Sequence, residues 1–232
     1  MKTSIIKLVI HIVFISFISC SNSSDDGNEV VIPNDDMVDN TQSCTEATLP
    51  PDVPTFDVET NFPFWESSPY ILPYNVGSTF FVNQGNNTGF GHSGFWKYGY
   101  DFTMNIGTEI LAARDGIVVH ANDGTNDGNP NGTNLITIQH EDGTVALYSH
   151  LTRNGVLVNV GDTVEQGDLI GFSGNTGNTG GLPHLHFSVH PCSGLPGLPN
   201  ATNCPTQPVT FRNTEPNPNG LGTWQCYTAS EF

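Results

Sequence analysis

The strongest constraint on this chain is the stretch 180–190, Gly-Gly-Leu-Pro-His-Leu-His-Phe-Ser-Val-His, where a glycine and proline turn gives way to strict alternation of polar and apolar residues. A two-residue period predicts a half-buried β-strand, because successive side chains on a strand point to opposite faces. Leu185, Phe187 and Val189 then face a core, and His184 and His186 stand side by side on the other surface. Two imidazoles on one rigid surface suit a metal site in which one ring binds the ion and its neighbour moves protons.

The surrounding chain, residues 79–190, repeats the β pattern and shows no helical period. Ile110 to Ala113 and Ile117 to His120, around Arg114-Asp115-Gly116, predict one hairpin. Leu135 to His140 and Val145 to His150, around Glu141-Asp142-Gly143, predict a second. Val156, Val158, Val160 and the run from Val164 to Gly171 add short strands. The expected fold is all-β, a compact antiparallel sheet or barrel-sandwich of about 110 residues, enough for one core. Asp127 to Gly132 matches the opening of an EF-hand loop, but Ile138 stands where the bidentate glutamate belongs and strands flank it, so it reads as a solvated hairpin loop.

The flanks differ in composition. Residues 1–19 carry Lys2 and Lys7 followed by an apolar run too short to span a bilayer, which is the pattern of a signal peptide. Its end, Phe17-Ile18-Ser19-Cys20, resembles the lipobox of bacterial lipoproteins and makes Cys20 the expected lipidated N-terminus. Ser21, Asp25 and Asp26 are similar to outer-membrane and surface-export signals of such proteins, so the expected location is the outer membrane of a Gram-negative cell envelope. Residues 20–43 read as a disordered tether, 44–78 as a proline and aromatic strap wrapping an edge of the domain, and 191–232 as an irregular extension with Phe211 and Trp224 as anchors.

Six basic residues against 23 acidic ones give a formal charge of −17, and loss of Lys2 and Lys7 with the leader leaves four against 23, or −19. Such a chain is repelled by nucleic acid and by anionic lipid, so membrane contact falls to the N-terminal lipid alone. A monomer is expected. Besides Cys20 there are four cysteines, and an even number in an exported chain implies two disulfides with three possible pairings. Cys192 with Cys204 across a short Gly/Pro loop, and Cys44 with Cys226 across the domain, is the favoured arrangement.

Three more polar residues stand out. Asp101 lies within Tyr98-Gly99-Tyr100-Asp101-Phe102, which would bury its carboxylate against a cation. His150 follows Tyr148-Ser149 at a strand end, and His92 lies in Gly91-His92-Ser93-Gly94. Pro183-His184-Leu185-His186-Phe187, Tyr148-Ser149-His150-Leu151, Asp101-Phe102 with Gly107-Thr108 and Ala112-Ala113-Arg114-Asp115-Gly116, and Gly161-Asp162-x-Val164-x-x-Gly167 together resemble the lysostaphin/LytM family, over about residues 70–190. These are zinc metallopeptidases that cut peptide cross-links of bacterial cell walls.

The resemblance implies Zn²⁺ as cofactor and peptidoglycan peptides as substrate. The family's first ligand, a histidine four residues before the aspartate, is Lys97 here. Gln84-Gly85, the following Gly-x-x-His and Tyr-x-x-Asp-Phe resemble a branch in which His92 takes that role. Carried over, His92, Asp101 and His186 bind zinc, and His150 and His184 handle the water and its protons. Asn134 and Tyr148 are expected to grip substrate, and residues 171–181 to form one groove wall. His120, His140 and His190 read as surface or structural residues. Lys97 also motivates a second reading, a degenerate member that binds cell wall or regulates another hydrolase. A third, the biotinyl or lipoyl carrier hairpin, fails because no lysine follows Lys97.

Overall fold

The computed structural model describes Cys44 and residues 61–89, 91–192 and 204–232. The leader, Cys20, the tether and the first part of the strap lie outside the described residues. The strands are β1 (Thr79–Gln84), β2 (Tyr100–Thr103), β3 (Glu109–Leu111), β4 (Gly116–Asn122), β5 (Leu135–Gln139), β6 (Val145–Ser149), β7 (Leu151–Val156), β8 (Thr163–Val164), β9 (Leu169–Ser173), β10 (His184–His190) and β11 (Cys226–Thr228). Among the described residues there is no α-helix.

An eight-stranded sheet runs β11-β1-β2-β10-β6-β5-β4-β8, and a three-stranded sheet runs β3-β9-β7, with every pairing antiparallel. One buried cluster draws on both sheets, and aromatic rings dominate it. Phe187 packs 5.3 Å from Tyr148 and 5.8 Å from Phe211, centroid to centroid. Each such ring taken out of water contributes on the order of 1.5–3 kcal/mol.

The alternating stretch is β10, and it lies centrally between β2 and β6. It is buried along its whole length, not half-buried, because Phe95 and Trp96 stack on the histidine face as Leu185, Phe187 and Val189 fill the core. The expected hairpin at 141–143 forms, with Gln139 opposite Val145 and Leu135 opposite Ser149. The expected hairpin at 114–116 does not. β3 pairs with β9 while β4 pairs with β5 and β8, so Arg114-Asp115-Gly116 is a corner between two sheets. The fully buried Ala112 and Ala113 let the chain cross there: the Ala112 N–H donates to Asp168 O and the Ala113 N–H to the Tyr148 hydroxyl.

The flanks are built into this core. Tyr70, Ile71, Leu72 and Tyr74 of the strap are all buried, and the Ile71 N–H donates to Ala113 O and the Leu72 N–H to Asn213 Oδ1. The C-terminal segment contributes Val209, Phe211, Leu221 and Tyr227 to the same cluster, and β11 covers the open edge of β1. Cys44 is bonded to Cys226 and Cys192 to Cys204, with Cα atoms 5.9 and 6.0 Å apart.

Candidate metal centre

The site grows out of the ladder between β2 and β10, where His186 stands opposite Asp101 and both side chains project from the same face. A bulge between Val82 and Gln84 ends the regular pairing of β1 and turns the chain into the loop that carries His92. The loop closes on itself where the Asn87 N–H donates to Lys97 O at 2.7 Å. His92 is fixed within it by an Nδ1–H donated to Gly85 O at 3.0 Å. Gly99 leaves the room these rings need, since a Cβ there would sit 2.7 Å from His186 Cε1 and 3.2 Å from His92 Nε2.

Three ligand-type atoms converge. His92 Nε2 and His186 Nδ1 lie 3.1 and 2.8 Å from Asp101 Oδ1, and 3.2 Å from each other. All three residues are buried, and all three atoms lie within 4.8 Å of one another. Because the proton of neutral His92 is committed to Gly85 O, its Nε2 lone pair faces a carboxylate and a second ring nitrogen. Electron pairs so aimed repel unless a cation stands among them. The other nitrogen of His186, Nε2, is buried without a partner. Two imidazole nitrogens and one carboxylate oxygen are a donor set that suits zinc.

The electrostatics agree with a cation site. Burial pushes the Asp101 carboxyl up, but the charge His92 carries once protonated, with hydrogen bonds from His186 and from that protonated ring, holds it well below the usual carboxylate range. Burial pulls His92 down, and Asp101 more than offsets this, so His92 ends above its ordinary value. His186 ends below, with burial outweighing the Asp101 hydrogen bond.

His150 and His184 stand beside this trio, ring centroids 4.6 Å apart. His184 donates Nδ1–H to Leu182 O at 2.7 Å and places Nε2 3.7 Å from Asp101 Oδ1. His150 is the single residue between β6 and β7, where the chain passes from the large sheet to the small one. It takes a left-handed φ of +69°, a conformation costing roughly 1–2 kcal/mol outside glycine. Its Nδ1–H is donated to Thr176 O at 2.6 Å. Burial, then His184 and His186, push its pKa down to about 3, so the ring is neutral and Nε2 keeps its lone pair.

These five residues border a groove of about 1250 Å³. Asn178, Thr179 and Gly180, within the expected wall, line it, and so does the loop 130–133. Asn134 and Tyr148 do not. Tyr148 lies on the core side of β6, the opposite face from Leu147 and Ser149, and is fully buried with its hydroxyl bonded to the Ala113 N–H. Asn134 is fully buried too, its amide bonded to both polar backbone atoms of Thr125 and to Leu151 O. It braces the groove loop from behind.

Lys97 takes no part in the trio; its Nζ lies over the Tyr98 ring at 5.3 Å. His190 is fully buried between Cys204 O and Ser188 Oγ, and His140 rests on Asp115 O. His120 borders the groove and bonds Asn122. Trp96, 5.5 Å from His186 and edge-on to it, and Thr223 and Trp224 of the C-terminal segment are groove residues that local pattern did not single out for that place. The side chains of the last two arrive from a stretch whose proline and asparagine content hides any period.

Comparison with known proteins finds similarity to peptidases. Residues 96–197 match Peptidase family M23. The chain is 38% identical over 136 residues to an uncharacterized metalloprotease of Buchnera aphidicola, covering 58% of this chain and 34% of that protein. It is 42% identical over 98 residues to lysostaphin of Staphylococcus simulans, covering 42% and 18%. Over 91 residues it is 40% identical to the peptidoglycan DD-endopeptidase ShyA of Vibrio cholerae, covering 39% and 19%. The chain thus spans 34% or less of each of these relatives. Among solved structures, the catalytic domain of Staphylococcus simulans lysostaphin is 32% identical, with 56% of this chain and 87% of that one covered and a TM-score of 0.39.

Proposed function

We propose that the protein, whose residues 96–197 match Peptidase family M23, is a zinc-dependent endopeptidase that hydrolyses peptide cross-links of bacterial peptidoglycan. The observation that carries the reading is the convergence of His92 Nε2, Asp101 Oδ1 and His186 Nδ1 at the floor of a groove. Three protein ligands leave a coordination position for water or substrate, the arrangement of catalytic zinc sites. Bound there, zinc would lower the pKa of water from 15.7 to about 7 and polarise a carbonyl.

The chain's own residues handle the protons. His150, neutral and held by Thr176 O, uses Nε2 to take the proton of the attacking water and later passes it to the leaving amine. His184, oriented by Leu182 O, holds the attacking water in line. The groove beside them is where an extended peptide would lie. An N-terminal lipid on Cys20 would hold the enzyme at the outer membrane, close to the wall, and the substrate reading is supported by the peptidoglycan endopeptidase among its relatives.

The test is elemental analysis of the purified protein beside His92→Ala and Lys97→Ala, followed by digestion of cross-linked muropeptides. One zinc per chain, absent from the first variant and kept in the second, with cross-links lost from the digest, is the expected result. A parent that takes up no zinc at neutral pH overturns it and leaves the wall-binding, degenerate reading in its place.

A further inference from the structure

Gly85 is gripped at both of its polar atoms. Its carbonyl accepts the Nδ1–H of His92 at 3.0 Å and the Thr88 hydroxyl at 3.2 Å. Its N–H is donated to Thr223 Oγ1 at 2.9 Å. The C-terminal segment lies flat against it, since a Cβ at position 85 would stand 2.8 Å from Thr223 Oγ1, 3.0 Å from Leu221 O and 3.2 Å from Thr223 N. Thr223 is buried, so the hydrogen bond is sheltered from water.

That segment is itself held firmly. The Trp224 N–H donates to Val82 O at 2.7 Å, the Val82 N–H to Gln225 O at 2.9 Å, and the Gly222 N–H to the Tyr227 hydroxyl at 2.7 Å. Cys226, two residues beyond Trp224, carries the disulfide to Cys44. None of residues 221–226 falls within the matched stretch 96–197, and neither does His92.

We infer that Thr223 is a positioning residue for the metal centre, fixing the Gly85 peptide so that its carbonyl sets the tautomer and direction of His92. A ring that donates Nδ1–H to a fixed carbonyl presents Nε2 as a ligand in one orientation, and partners of this kind set metal affinity through the ligand they hold. The C-terminal segment is thus a working part of the site and not an appendage. The inference rests on the zinc reading above.

The experiment measures zinc affinity of the full chain by competition with a chromophoric chelator, beside the melting temperature of the metal-free protein. Thr223→Val keeps the side-chain volume and removes the acceptor; zinc affinity is expected to fall about tenfold or more, while the metal-free protein, with its Gly85 N–H left unpaired, melts lower but still in one cooperative transition. Thr223→Ser restores the acceptor and the affinity. Thr228→Val is the control for loss of a threonine hydroxyl from the same segment, because the exposed Thr228 hydroxyl bonds Thr79 across β11 and β1 with no path to His92, and its affinity stays at the parent value. Gly85→Ala pushes Thr223 away without altering it and gives the same loss should Thr223→Val not fold. Parent-like affinity in Thr223→Val or Gly85→Ala, or an equal loss in Thr228→Val, overturns the inference alone. A parent without zinc overturns the zinc reading along with it.

Discussion

His186 Nδ1 lies 2.8 Å from Asp101 Oδ1 because the two residues are direct partners across β2 and β10 in the middle of the large sheet. Two of the three candidate ligand atoms are therefore set by backbone hydrogen bonding deep in the fold. The third, on His92, comes from a loop and depends on what holds that loop. The site has a rigid half and a supported half, and substitutions should sort accordingly.

Gly99→Ala tests the rigid half without touching a ligand. The added methyl would meet His186 at 2.7 Å and His92 at 3.2 Å, so the rings must move apart. Bound zinc per chain is expected to drop to a minor fraction in elemental analysis, and full occupancy would show that the rings tolerate displacement.

His150→Ala should separate proton transfer from metal binding. The ring is no member of the ligand trio, so zinc stays bound. Its loss removes the group assigned to take the water's proton, and kcat should fall by roughly 10²–10⁴-fold. A variant with parental kcat would exclude His150 as the base.

Trp224→Ala addresses the groove. The indole lines it from the C-terminal segment, on a residue held at a left-handed φ of +64°. Losing one aromatic contact with bound peptide is worth about 1 kcal/mol, so KM should rise roughly fivefold while kcat changes little. A fall in kcat at constant KM would place the residue in the chemistry instead.

His190 makes stability depend on pH. Burial holds its pKa at about 4, against an ordinary 6.5. Between these values the unfolded chain binds a proton that the folded one does not, so the stability it contributes is complete above pH 6.5 and lost as pH falls towards 4. The loss reaches on the order of 3 kcal/mol. Denaturant titrations of parent and His190→Gln should converge by that amount from pH 7 to pH 4, and parallel curves would refute the assignment.

Much of this was legible in the chain because strand parity is a local property. The alternation from 184 to 190 placed His184 and His186 on one face, and the same rule applied to 145–149 would have put Tyr148 in the core with Ala146. Tyr148 and Asn134 were misplaced because a polar atom near a motif does not reveal which way its strand turns it. The corner at 114–116 was misread because a turn signal marks where the chain bends, not which sheet receives the next strand. Phe211 was legible as an anchor of the C-terminal segment, but Leu221 and Tyr227 were not, for another reason: they enter the core singly, with no period to betray them. Thr223 acts through a backbone glycine 138 positions away, a distance no window spans.

The bond network around Gly85 also decides how this protein can be cut. A fragment trimmed to residues 96–197 would leave out one of the three candidate ligand residues, the strand on which its loop begins and the ring of Phe211 that packs on Phe187. It would expose an aromatic patch and offer an ion two donors where the whole chain offers three. Grafting or minimising this protein therefore has to carry residues 44–232 as one piece, so that Cys226 keeps its partner Cys44.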